Sequence, residues 1–132
     1  MKPRFKTHFS IDEARELLPE LRSIFQDIHR RQDDIGRDGR YLAALLDQIG
    51  GDAGGSVMTS LFLDVLQVNM QLRRVQDMGV QIKDVERGLL DFPHFHDGHE
   101  VFLCWELDES DIEYWHDIDR GYADREPLFG ME

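Results

Sequence analysis

Apolar residues recur at alternating intervals of three and four over residues 11–28 and, after a weaker stretch, again in the same register over 42–49, the spacing that places side chains on one side of an α-helix. Ser10 and Glu13 form a Ser-x-x-Glu capping box, which marks the start of this helix. Pro19 predicts a kink or a loosened first turn, because proline cannot donate the backbone hydrogen bond of a helix interior. Two glycines within residues 33–40 favour a break farther along. The apolar stripe consists of Ile11, Ala14, Leu18, Leu21, Phe25, Ile28, Leu42, Leu46 and Ile49.

A second stripe of the same spacing follows a glycine-rich turn at 50–55 and stops before Gly79. Two helices with matching stripes are predicted to pack antiparallel, as a helical hairpin over residues 10–79. The second helix also carries further apolar residues beside its stripe, so its apolar face is wider than one partner helix can cover. Either the β-layer or a second copy of the chain covers the rest, and we favour a homodimer. The stripe is Met58, Leu61, Val65, Val68, Leu72 and Val75, and the additional residues are Phe62, Leu63, Leu66 and Met70.

The period of the apolar pattern changes to two at Val80, which predicts short strands. Their connections are too short for parallel crossovers, so they form an antiparallel β-meander. Residues 111–116 are predicted to form a short helix before an aromatic tail. The chain is therefore predicted to be a single α+β domain over residues 1–132, in which the helical hairpin packs against a meander and tail at 80–132. The predicted strands are 80–84, 89–95 and 101–107, with a further N-terminal strand at 4–9.

Charge and composition narrow the function classes. The net charge is −12, and residues 99–132 hold eleven acidic residues against two arginines. Such a field repels phosphate backbones and anionic lipids, so nucleic-acid and membrane partners are not expected. No apolar run approaches the length of a membrane span, and no secretory signal follows the basic N-terminus. The single cysteine, Cys104, cannot form an internal disulfide. Together these features predict a cytoplasmic protein.

Three histidines around residues 97–98 are candidate metal ligands. If the Asp-Gly pair there forms a type I′ turn, His94, His96 and His99 lie on one face of the hairpin, about 5 Å apart across the strands. Neutral imidazoles at this spacing bind zinc, nickel or copper, and His116 is a further candidate ligand. In the competing interpretation they are solvated residues of a polar turn and no cofactor is bound. The pairs across this hairpin would be Leu90–Trp105, Phe92–Leu103, His94–Val101 and His96–His99.

Acid–base chemistry has weaker candidates. Asp84 and Asp91 lie among apolar residues of predicted strands, where a carboxylate is either paired with an arginine such as Arg125 or functional. His116, beside an aspartate, is a candidate base, although sequence neighbours do not place their side chains together. Cys104 is predicted to face Asp91 across the hairpin and to pack rather than react.

Five segments stand in a characteristic order. They read FSIDEARELLP at 9–19, KDVERGLLDFP at 83–93, VFLCW at 101–105, YWH at 114–116 and GYADREP at 121–127. In this order they resemble an uncharacterised prokaryotic family, domain of unknown function 2203. The resemblance covers nearly the whole chain and implies a cytosolic bacterial protein of unknown activity, with no catalytic residue to carry over.

The resemblance also separates the candidate residues. Family members often carry arginine where His99 stands, and they commonly lack His94 and His96, so the three-histidine site is not implied as a family function. Residues at shared motif positions are better candidates for a common site. These are Asp84, Asp91, Trp105, Trp115, His116 and Arg125.

The favoured function is a non-enzymatic interaction or regulatory module, because no convincing nucleophile or cofactor motif is present. It would self-associate through its helices and offer the β-meander and acidic tail to a protein partner. The alternative is a divalent-metal-binding protein, or a metal-dependent hydrolase, that uses the hairpin histidines.

Overall fold

The computed structural model describes residues 2–49 and 55–128. The predicted glycine-rich turn lies almost entirely outside the described residues. The chain groups into two compact units. The sheet unit contains the described residues up to Phe25 and from Arg74 onward, and the helical unit is Gln26–Arg73. The single domain stays a prediction.

Both predicted helices are present. Helix α1 spans Ile11–Ile49 and continues through Pro19, and helix α2 spans Gly55–Asp77. The capping box is formed, because the Glu13 amide donates to Ser10 Oγ at 3.0 Å and the Ser10 amide donates to Glu13 Oε1 at 2.8 Å. The expected break within 33–40 is wrong, since a helical glycine costs only about 1 kcal/mol relative to alanine and keeps its backbone hydrogen bonds. Neither helix contains, among its described residues, an apolar stretch that could cross a membrane.

The helical unit is cross-linked by a polar network between α1 and α2. Arg31 donates to Asp27 at 2.8 Å and to Asp64 at 2.9 Å, and Gln71 donates to Asp27 at 2.7 Å. Asp27 contacts Gln71, whereas Arg31, farther along α1, contacts Asp64, which comes earlier in α2. The two helices therefore run antiparallel. The hydrogen bond from Arg31 is the main cause that lowers the pKa of Asp27, and it outweighs the opposing effect of burial.

The sheet unit contains a five-stranded antiparallel meander with strand order β1-β2-β3-β4-β5. The predicted hairpin register is confirmed, including the His96–His99 pair. The expected helix at 111–116 is wrong, because Tyr114–Asp117 pairs with the open edge of the third strand. The strands are β1 Gln81–Asp84, β2 Leu89–His96, β3 His99–Trp105, β4 Tyr114–Asp117 and β5 Glu126–Pro127.

Residues 4–9 lie along the sheet without forming the predicted strand. The Phe9 amide donates to the Pro93 carbonyl at 2.8 Å, and the carboxylate of Glu100 accepts the amides of Arg4 and Phe5 at 2.7 and 3.1 Å. Side-chain acceptors thus replace a regular ladder of backbone hydrogen bonds. Pro93 costs the β2–β3 ladder nothing, because its nitrogen faces the same side as its carbonyl, toward Phe9.

The two faces of the sheet have different environments. One face carries buried apolar residues and lies against the start of α1, since the Arg22 guanidinium is 5.5 Å from the Trp105 ring centroid and Arg15 donates to the Ile112 carbonyl at 3.0 Å. Among the described residues the buried polar or charged ones are Asp91 and His116, and both belong to the opposite face. The buried residues of the first face are Leu90, Phe92, Val101, Leu103 and Trp105.

Candidate functional site

Three side chains from three neighbouring strands converge on the second face of the sheet. Asp91 of β2 stands directly opposite Cys104 of β3. His116 of β4 pairs with Phe102, two residues before Cys104, and therefore shares the face of Cys104 because side chains alternate along a strand. One donor atom from each lies within 4.8 Å of the donors of the other two. We refer to Asp91, Cys104 and His116 as the Asp-Cys-His cluster.

The hydrogen bonds of His116 fix its protonation. Its Nδ1–H donates to the Asp117 carbonyl at 2.8 Å, because a carbonyl can only accept. Its Nε2 lies 3.1 and 3.0 Å from the two carboxylate oxygens of Asp91. Both side chains are 2% exposed, so no water shell replaces these contacts. An ionised carboxylate also only accepts, and the pair is therefore a buried imidazolium–carboxylate ion pair.

The pKa of His116 follows from two opposing effects. Burial by itself lowers the pKa, since it penalises the charged imidazolium. Hydrogen bonds to Asp91, to Cys104 and to the Asp117 carbonyl outweigh burial and raise the pKa of His116 to about 10. The imidazole is therefore charged at neutral pH, which makes it a poor general base while Asp91 is its partner.

A second ion pair lies beside the cluster. Both terminal nitrogens of Arg125 donate hydrogen bonds to the Glu109 carboxylate, at 3.0 and 2.6 Å. Its Nη1 also lies 3.9 Å from Cys104 Sγ. Its guanidinium carbon lies 4.0 Å from the ring centroid of Tyr114 and 4.1 Å from that of Tyr122. Burial is the largest single effect and lowers the pKa of Arg125, but the contacts with Glu109 and Cys104 together outweigh burial and raise the pKa. The bidentate pair and the two rings hold this guanidinium in one orientation.

A cavity of about 150 Å³ adjoins the cluster. All three cluster residues line it, together with Lys83 and Arg120. At about 30 Å³ for each water, the cavity has room for a few solvent molecules or a small anion. It therefore combines buried oxygen, sulfur and nitrogen donors with two basic side chains.

The structure brings together only some of the predicted site residues. Asp91 and His116 are in direct contact, and Arg125 approaches them through Cys104. Asp84 is not part of the cluster; it stands at the end of β1, where its carboxylate accepts the Arg87 amide at 3.1 Å within the β1–β2 turn. The two tryptophans at the remaining motif positions lie on the opposite face of the sheet from the cluster. These are Trp105, which donates Nε1–H to the Glu109 carbonyl at 2.9 Å, and Trp115.

Among the described residues the three hairpin histidines make separate contacts, and their metal site stays a prediction. Within the described residues, the group of three or more metal-binding side chains with donors within 4.8 Å is the Asp-Cys-His cluster. The His94 Nδ1–H is committed to the Phe9 carbonyl at 2.6 Å. His96 lies 3.4 Å from the carboxylate of Asp97, and His99 is exposed. The predicted register is therefore correct, but the imidazoles serve different contacts.

Sequence reasoning missed the roles of Cys104 and Glu109. The hairpin register already placed Cys104 opposite Asp91, and this was the available signal. The contact of His116 with Asp91 required strand β4, which was predicted as helix. Glu109 lies in a loop and meets Arg125 only after the chain has turned back on itself.

The fold and the cluster together define a class of α+β protein, in which two long helices accompany an antiparallel meander with a buried Asp-Cys-His cluster. The chain belongs to the DUF2203 family of uncharacterized conserved proteins, which it matches over residues 7–128. The resemblance found in the motifs is thereby confirmed. No curated protein matches the chain, and no solved structure matches it.

Proposed function

We propose that this protein is a cytoplasmic, non-enzymatic interaction module that forms homodimers through the outer face of α2. The single carrying observation is a set of six large apolar side chains that are between 41% and 66% exposed on one helix. At about 100° per residue they cover an arc of roughly 160°. The outer face of α2 consists of Met58, Phe62, Leu63, Val65, Leu66 and Met70.

The charge distribution favours a second copy as the occupant. Between residues 55 and 72 the charged residue is Asp64, which pairs with Arg31 at 2.9 Å within the same chain. Elsewhere two copies that each carry a charge of −12 repel one another. A neutral apolar face is also self-complementary, as a two-fold interface requires.

The size of the face supports a dimer of moderate affinity. Complete burial of one such side chain contributes about 1.5–3 kcal/mol relative to exposure. Side chains that are about half exposed retain roughly 1 kcal/mol each, so two copies offer on the order of 10 kcal/mol. The association cost starts at about 4 kcal/mol, which leaves about 6 kcal/mol and a dissociation constant of tens of micromolar.

Sedimentation equilibrium tests this proposal. Wild-type protein should shift from monomer toward dimer as its concentration rises through about 50 µM. Phe62→Glu places a charge at the most exposed of the six side chains, which is 66% exposed, and should leave a monomer. Ser60→Glu is the matched control, since it adds the same charge to the same helix roughly opposite Phe62 and should dimerise like wild type. A wild-type monomer well above this concentration, or equal effects of the two substitutions, would contradict the proposal.

A further inference from the structure

We propose that the Asp-Cys-His cluster binds one zinc-class divalent ion per chain. The cluster offers one carboxylate oxygen, one cysteine sulfur and one imidazole nitrogen on the buried face of a sheet. Thiolate and imidazole donors select zinc and its neighbours, whereas magnesium and calcium prefer oxygen alone. Three protein ligands with a fourth position left to solvent are the pattern of an open zinc site.

The hydrogen bonds of the His116 ring favour a role as metal ligand over a role as proton carrier in a catalytic triad. In a thiol–histidine–acid triad, the nucleophile and the acid contact opposite nitrogens of the ring. Here Nδ1 is occupied by the Asp117 carbonyl at 2.8 Å, so Nε2 is the nitrogen left for both other members of the cluster. A metal-bound histidine typically donates its other N–H to a backbone carbonyl in this way, which fixes the ring.

The distances require only small movements. Tetrahedral bonds of about 2.0–2.1 Å separate neighbouring nitrogen and oxygen ligands by about 3.4 Å. The observed separation between His116 Nε2 and Asp91 Oδ2 is 3.0 Å. For this pair a few tenths of an ångström of side-chain rotation would admit an ion, and the Cys104 sulfur lies within 4.8 Å of both donors. The strands that carry the donors are paired in a continuous ladder and need not change register.

The surroundings supply the remaining parts of such a site. The adjoining cavity of about 150 Å³ leaves room for a water or small anion as the fourth ligand. Arg125 Nη1, 3.9 Å from Cys104 Sγ, would support the thiolate from outside the ligand set. Its own charge is compensated by the two bonds to Glu109. Binding replaces the proton on His116 Nε2 and the thiol proton of Cys104, so the ion enters with release of two protons and no change in net charge.

Titration with Co²⁺ tests the site on the intact chain without a histidine tag. Cobalt bound to a thiolate has an intense sulfur-to-metal charge-transfer band in the near ultraviolet. Because Cys104 is the single cysteine, a charge-transfer band in wild-type protein can come only from cobalt bound to Cys104. We expect saturation at one Co²⁺ per chain, and Zn²⁺ should displace the band. Absence of the band with excess Co²⁺ would overturn the proposal.

Two variants separate this site from the hairpin histidines. Cys104→Ser should abolish the band and weaken Zn²⁺ binding, measured by calorimetry, by at least tenfold. The double variant His96→Ala, His99→Ala should keep both the band and the affinity within about twofold. Circular dichroism of each variant checks that it is folded. Loss of binding in the double variant, or unchanged Zn²⁺ affinity in Cys104→Ser, would also overturn the proposal.

Discussion

Removal of the charge on Asp91 should make the unfolding free energy much less dependent on pH. In wild type the folded-state pKa of His116 is about 10 and its ordinary value is 6.5. Between these values the folded state binds one proton more than the unfolded state, so stability falls as pH rises, by about 1.4 kcal/mol per unit. The contribution is complete below the ordinary pKa and is lost as pH passes the folded pKa. In Asp91→Asn the amide donates to a neutral His116 and this dependence disappears.

The magnitude at neutral pH follows from burial. Both partners are 2% exposed, so solvent screening does not reduce their interaction. At pH 7 wild type keeps the part of the His116 contribution that lies between pH 7 and the folded pKa of about 10, which is about 4 kcal/mol, and Asp91→Asn loses it because its His116 is neutral. We therefore expect Asp91→Asn to lose about 4 kcal/mol at pH 7 and much less at pH 10.

Urea unfolding of the metal-free protein, followed by tryptophan fluorescence with a chelator present, measures this difference, since Trp105 is buried in the same sheet. The matched control is Asp97→Asn, whose partner His96 is 3.4 Å away in a pair that is 37% and 86% exposed. This substitution should change stability little and leave the pH dependence as in wild type. A constant gap between wild type and Asp91→Asn from pH 7 to pH 10 would refute the assignment of an imidazolium to His116.

Three further substitutions test separate contacts. Gly88→Ala should cost about 1–3 kcal/mol in urea unfolding, because residue 88 has a φ of +61° and a new Cβ would lie 2.7 Å from Leu107 Cβ; unchanged stability would contradict this geometry. Arg125→Lys should cost about 1–2 kcal/mol in the same assay, since lysine cannot replace both bonds to Glu109. Glu100→Gln should speed hydrogen exchange at the amides of Arg4 and Phe5, which its carboxylate accepts, and should leave exchange in β3 unaffected. Unchanged slow exchange at these two amides would contradict their hydrogen bonds to Glu100.

The predictable parts of the fold are those determined by local chemistry. The helical stripes repeat over many turns, and both predicted helices therefore formed whatever their tertiary contacts. The β2–β3 register was predictable because two turn residues determine it, and Asp97 and Gly98 have the positive φ values, 51° and 78°, of a type I′ turn. No comparable turn stands between β3 and β4. The segment that brings His116 to Asp91 therefore carried no local signal for its strand.

The candidate site depended on β4, the strand that no local sequence pattern predicted. Histidine spacing favoured His94, His96 and His99, which share one face of the hairpin as expected. The sequence showed neither that the Phe9 carbonyl would engage His94 nor that Arg125 would reach Cys104. Both contacts join residues far apart in the chain, and they form only when the N-terminal segment and the tail pack on the sheet. Spacing along one hairpin can suggest ligands, but it does not reveal which donors other elements will occupy.

The proposed self-association and the proposed ion binding use different units of the chain and share no residue. Phe62→Glu lies in the helical unit and should therefore leave one Co²⁺ per chain with the same charge-transfer band. Cys104→Ser lies in the sheet unit and should leave the monomer–dimer equilibrium unchanged. Saturation of the wild-type dimer at half an ion per chain would mean that donors from two copies share the ion. In that case Phe62→Glu would weaken Co²⁺ binding, and the three donors of one chain would not be sufficient for the site.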